Sequence, residues 1–80
     1  MNFYIATFHT HLSAIRSQKR LMEAGIATQL SPVPRSLSAS CGTCIRYQNT
    51  DPRLDCMDHD YEKIVRVIAV DQYEVEYENE

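Results

Sequence analysis

The sequence predicts one α/β sandwich domain over residues 1–80, with the ferredoxin-like order strand-helix-strand-strand-helix-strand. Three observations predict it. Short runs rich in aromatic and β-branched residues stand near both ends of the chain, a periodic apolar segment closed by Gly25 follows the first run, and a second segment with apolar spacings of three and four precedes the last. Right-handed crossovers then lay both helices on one face of the sheet.

Phe3-Tyr4-Ile5-Ala6-Thr7-Phe8 is short and apolar throughout, as a buried strand requires. Thr10 is a helix N-cap. Ala14, Ile15, Gln18, Leu21 and Met22 then fall near a 3.6-residue period, which turns Arg16, Lys19, Arg20 and Glu23 toward water. Gly25 ends the helix, since glycine takes the left-handed conformation after a last turn without strain. Ile26 to Leu30 reads as the second strand, stopped by Pro32 and Pro34, which cannot donate a ladder hydrogen bond.

Ser36 to Ser40 is a polar loop, and Thr43 to Gln48 alternates Ile45 and Tyr47 against Cys44 and Arg46 as a half-buried strand. Leu54, Met57, Tyr61, Ile64, Val65 and Ile68 suit a second helix opened by Asp51-Pro52 or by Asp58. The β-branching of Ile64 to Val70 keeps a strand open as the rival over residues 58–70. Tyr73 to Glu78 alternates without a slip and forms the last strand, its tyrosines and valine inward. In this order the first and third strands lie side by side and antiparallel. The end of strand one, the start of the first helix and the start of strand three then share an edge, which sets His9-Thr10-His11 beside Cys41.

A chain of 80 residues buries only about 60 to 65% of its unfolded surface, so its core is thin and a partner, a metal or a homodimer contact would matter. The net charge of -3, with Glu74, Glu76, Glu78 and Glu80 clustered late, argues against nucleic acid. Arg16, Lys19 and Arg20 make a short solvated basic face rather than a docking stripe. No run reaches membrane-spanning length, and Met1 to Ala6 lacks the charged start and long apolar stretch of a signal peptide. Three cysteines, an odd number without an export signal, place the chain in a reducing compartment, the cytoplasm. With two glycines no phosphate-cradling loop can be assembled, and no hydrolytic constellation is apparent.

The chemistry centres on Ser38-Ala39-Ser40-Cys41-Gly42-Thr43-Cys44. A reactive cysteine must be a thiolate. Arg35 supplies positive charge, Ser38 and Ser40 donate hydrogen bonds, Gly42 permits close backbone approach, and the first helix aims its N-terminal dipole at the same edge. His9 and His11 support the site as proton acceptors or, protonated, as charge partners, with Thr10 between them. Cys44, three residues on, is either a strand residue packing on the sheet or a resolving thiol, which would make a thiol-disulfide redox protein of Cys41/Cys44. The rival is zinc. Cys41-x2-Cys44 and Cys56-x2-His59 are ligand pairs at zinc-knuckle spacing. Strand three would hold those pairs about 15 to 20 Å apart at about 3.3 Å per residue, so the preferred reading has no cofactor.

Three stretches carry a resemblance to a known family: Phe8 to Ala14, Glu23 to Ile26 and, most diagnostic, Pro32-Val33-Pro34-Arg35-Ser36-Leu37-Ser38-Ala39-Ser40-Cys41-Gly42. The chain resembles the selenium/sulfur carrier-like family along nearly its whole length. The likeness weakens from Gln48 to Val70, where the family is more helix-prone, and Asp71-Gln72 stands where the family has a glycine before its last strand. The resemblance implies a carrier, rather than a true enzyme, that accepts sulfur or selenium on Cys41 as a persulfide or selenosulfide. Its implied partners are donor and acceptor proteins. A redox protein and a zinc-stabilised or purely structural interaction domain are the alternatives.

Overall fold

Tyr4, Ala6 and Phe8 face one side of strand β1 (Asn2–Phe8) while Ile5 and Thr7 face the other, and all five are buried. A strand apolar on both faces belongs in the middle of a sheet, and β1 takes that place. The computed structural model describes residues 1–37 and 42–79. Among them are α1 (His11–Glu23), β2 (Thr28–Pro32), β3 (Thr43–Asn49), a 3-10 turn (Leu54–Cys56), β4 (Tyr61–Ala69) and β5 (Gln72–Glu78). The strands form one antiparallel sheet in the order β2-β3-β1-β4-β5. The expected adjacency of β1 and β3 is present, with Ala6 opposite Ile45 and Thr7 opposite Cys44.

The two-helix ferredoxin-like order is not what the chain adopts. Residues 58–70, expected as the second helix, supply β4 instead. Ile64 and Val65 are both fully buried, on opposite faces of the sheet, as successive strand residues are. Their β-branching favours the pleated state, and the spacing from Leu54 to Ile68 comes from joining a crossover to a strand. Residues 50–60 cross the helix-bearing face with only one 3-10 turn, entered through Arg53 at φ +52°. The Tyr47 hydroxyl donates to the Pro52 carbonyl there, and Cys56 and Met57 bury themselves in the core.

Helix α1 ends as expected. Gly25 takes φ +83°, its N–H donates to the Met22 carbonyl at 3.0 Å, and the Ile26 N–H donates to the Leu21 carbonyl at 2.9 Å. This pair of bonds is a Schellman closure, completed by Leu21 and Ile26 meeting in the core. The buried face differs from the expected one. It consists of Ser13, Ala14, Ser17 and Leu21, while Ile15 and Met22 are exposed. Tyr4, Phe8, Ile45, Tyr47 and Ile64 already fill much of the space above the sheet, so the first two turns of the helix meet them with small residues, and only Leu21, near the helix end, adds a large one. The two serines also bond the crossover: the Asp58 N–H donates to Ser17 Oγ at 2.8 Å, and Ser13 Oγ donates to Asp60 Oδ2 at 3.1 Å.

The far face of the sheet carries a smaller cluster. Val33 and Leu37 pack over Ile5, Cys44 and Val65, with Val67 and Tyr73 beside them. The bulge in β4-β5 pairing sets Val75 opposite Val65, on the face away from α1, and Tyr77 opposite Ile64, on the α1 face. Both are exposed rather than inward, and Tyr73 alone of the three is half-buried, against the smaller cluster. Asp71 turns the β4-β5 hairpin at φ +59°, doing at that position what a glycine would do.

Candidate functional site

Four chain segments meet at one edge of the sheet. Thr7 lies opposite both Cys44 and Lys63, Phe8 lies opposite Tyr61, and the His9 N–H donates to the Asp60 carbonyl at 3.4 Å. The end of β1, the start of α1 and the starts of β3 and β4 are therefore neighbours, as the sequence implies for the first three. His9, His11 and His59 are exposed along this edge. His9 Nδ1 stands 3.9 Å from Glu62 Oε1, and His59 Nδ1 stands 3.7 Å from the buried Asp58 Oδ1.

Thr10 is occupied structurally. Its Oγ1 accepts from the Ser13 N–H at 3.2 Å, lies 2.9 Å from Ser13 Oγ and donates to Asp60 Oδ2 at 3.4 Å. The expected N-cap is therefore real, and it leaves Thr10 a positioning residue. Asp58, Asp60, Ser13 and Ser17 are members of this edge that sequence reasoning missed. Their signal was the spacing of two serines four apart on a helix with two aspartates flanking a histidine in a turn.

Cys41, Ser38 and Ser40 lie outside the described residues; Gly42, Arg35 and Leu37 lie within them. Gly42 is exposed at φ +73°, and its carbonyl accepts the Val33 N–H at 3.0 Å. A Cβ built on Gly42 meets nothing within 4 Å. Its left-handed backbone is one that glycine adopts without strain. Arg35 is exposed in the turn before Leu37, which is buried. Of the described residues that flank positions 38–41 in the chain, Leu37 is packed with Val33 on the sheet face and Gly42 is bonded to Val33.

Cys44, read from the sequence either as a packing residue or as a resolving thiol, is enclosed. It is 0% exposed, with Sγ 3.4 Å from Ser31 Oγ and donating to the Pro32 carbonyl at 3.6 Å. An outside thiolate cannot reach a thiol so enclosed. Cys56 is buried on the opposite face, its Sγ directed at the Arg20 carbonyl, 4.0 Å away. The sheet therefore separates two members of the four-ligand zinc set. The expected geometry of that set needs a second correction: the crossover returns His59 to the edge where β1 ends, not to the far end of β3. Among the described residues no three His, Cys, Asp or Glu side chains converge to hold a metal ion.

Burial pushes the Tyr47 phenol far above its ordinary range, with the neighbouring Tyr4, Asp51 and Cys56 adding to the effect. That hydroxyl is a structural donor inside the core. No described helix is long and apolar enough to cross a membrane.

Comparison with known proteins gives a family match and a curated relative. A family profile described as "Putative Se/S carrier protein-like" matches residues 3–78. The chain is also 36% identical over 45 residues to the "Uncharacterized protein YtiA" of Escherichia coli (strain K12), a stretch covering 56% of this chain and 53% of that relative. It thus spans about half the length of the curated relative. No solved structure matches.

Proposed function

Because the chain belongs to the Se/S carrier protein-like family, we propose that it is a carrier that takes sulfur or selenium onto Cys41 and passes it to an acceptor protein in the cytoplasm. The Cys41 thiolate attacks the outer sulfur of a donor persulfide. One S–S bond forms as another breaks, the donor leaves as a thiolate, and Cys41 holds the sulfur as a persulfide with no net oxidation. Transfer to the acceptor repeats the exchange in the other direction. The protein is not consumed and makes no new covalent product of its own, which is the work of a carrier.

The observation that carries this reading is the family profile's match over residues 3–78, within which Cys41 falls. Of the residues that flank positions 38–41 in the chain, Leu37 is packed on the sheet face and Gly42 accepts the Val33 N–H. His9, His11 and His59 are exposed where β1 ends and α1, β3 and β4 begin, and an imidazole nitrogen can accept a thiol proton. The enclosure of Cys44 weighs against the Cys41/Cys44 redox alternative.

Incubation with a cysteine desulfurase and cysteine, read by intact and peptide mass, tests the proposal. The expected result is a sulfur adduct on Cys41 that disappears with reducing agent and in Cys41→Ser. A Cys41-Cys44 disulfide would return the redox reading, and the absence of any adduct would leave an interaction domain.

A further inference from the structure

Among the described residues, the sheet face opposite α1 is only half covered. Its middle row runs Gln29, Arg46, Ile5, Val65, Val75 across all five strands. Val33 and Leu37 lie over Ile5 and Val65. Beyond them Phe3 is 57% exposed and Val75 52% exposed. A concavity of about 470 Å³ opens there between Phe3, Ile5, Gln29, Arg46, Gln48 and Val67. Ile5 belongs to both halves, so this groove borders the stretch that leads to Cys41.

Arg46 gives the groove its chemistry. Its Nε donates to Ser31 Oγ at 2.9 Å, which fixes the guanidinium. The carboxylates of the described residues pair with Arg20, Arg53 and Arg66 and leave Arg46 without one. A fixed, unpaired guanidinium beside apolar walls is matched by a carboxylate flanked by apolar groups. A second copy is a poor match: among the described residues, the paired strand positions of this face carry Arg46 and Lys63 with one acid, Glu78, at its corner opposite Lys63. The apolar surface also runs on across β4 and β5 instead of closing over the groove, whereas small-molecule sites enclose most of their ligand.

We infer that this half-face docks a segment of a partner protein bearing a carboxylate between apolar side chains. Arg46 takes the carboxylate, and Phe3 and Val67 take the apolar groups. Identifying that partner as the sulfur donor rests on the function proposed above; the groove itself does not.

Two measurements separate the claims. The first is a 1H-15N NMR titration of the full chain with a synthetic peptide of alternating Leu, Phe and Glu, and with its counterpart carrying Lys for Glu. The expected result is saturable shifts at Phe3, Ile5, Arg46 and Val67 with the acidic peptide, and binding about tenfold weaker for the Lys peptide and for Arg46→Glu. Equal binding of both peptides, shifts confined to Leu12, Ile15 and Met22 of α1, concentration-dependent shifts without peptide, or no saturable binding overturns the inference. The second compares loading of Cys41 by a cysteine desulfurase with loading by inorganic polysulfide, which needs no docking. Arg46→Glu should slow the first about tenfold and leave the second unchanged. Equal rates in the two proteins remove the donor from the groove. If neither reagent loads wild-type Cys41, the carrier reading falls, and the titration alone decides the groove.

Discussion

Ser17, in the third turn of α1, accepts the backbone N–H of Asp58 at 2.8 Å, a buried bond between residues 41 apart in the chain. It joins the helix to the crossover at the point where the chain turns back into β4. Ser17→Ala leaves that buried amide without an acceptor and should cost about 1–3 kcal/mol in urea unfolding. Ser36→Ala, on an exposed turn, should change stability by less than about 0.5 kcal/mol. Equal effects from the two would remove the bond from the account of the fold.

The left-handed residues give a paired test. Asp71→Gly should be tolerated within about 0.5 kcal/mol, because glycine adopts φ +59° freely. Asp71→Val should cost about 1–3 kcal/mol, since a β-branched residue resists that region. Thermal unfolding of the two variants at one pH decides it.

Tyr47 predicts an alkaline limit. Its phenol is held in the neutral form by burial, so its pKa in the folded chain lies above the unfolded value of about 10. The unfolded state therefore loses its proton first. The stability from this shift is complete below pH about 10 and is lost as pH rises from there toward the folded pKa. Tyr47→Phe should lower stability by about 1 kcal/mol at neutral pH, through loss of the bond to Pro52, and should flatten the fall in Tm above pH about 10. A fall equally steep in the variant would assign the alkaline limit to another group.

Thiol accessibility predicts an order of labelling. Cys44 and Cys56 are both enclosed, on opposite faces, so iodoacetamide under native conditions should modify them only through opening of the fold. Peptide mapping should show both becoming reactive together in denaturant, and Cys44→Ala should leave sulfur loading of Cys41 unchanged. Rapid native alkylation of Cys44 would reopen its part in the chemistry.

The sequence displays some of these features and conceals others for identifiable reasons. Strand β1 and the caps of α1 were legible because each rests on local chemistry: an unbroken apolar run, a threonine before a helix, a glycine after it. The faces of β3 were legible from alternation alone, including Arg46 sharing a side with Cys44. The second helix was misread because apolar spacing across the join of crossover and strand imitates a helical period, although the β-branched run from Ile64 carried the better signal. The inward face of α1 was misassigned because Ser13 and Ser17 are drawn in by partners at residues 58–60, which no local pattern announces. At the candidate site the sheet edge was foreseen, and the separation of Cys44 from Cys56 by the sheet was not.

Because β1 sits between β3 and β4, with Tyr4 opposite both Tyr47 and Arg66, the first of the five described strands in chain order finds its neighbours only once β3 and β4 follow it. The hairpins β2-β3 and β4-β5 can each zip locally, yet neither joins the other except through that waiting segment. Assembly must therefore proceed by long-range closure, slowly for a polypeptide of this size, with a greasy N-terminal ribbon on show to chaperones meanwhile.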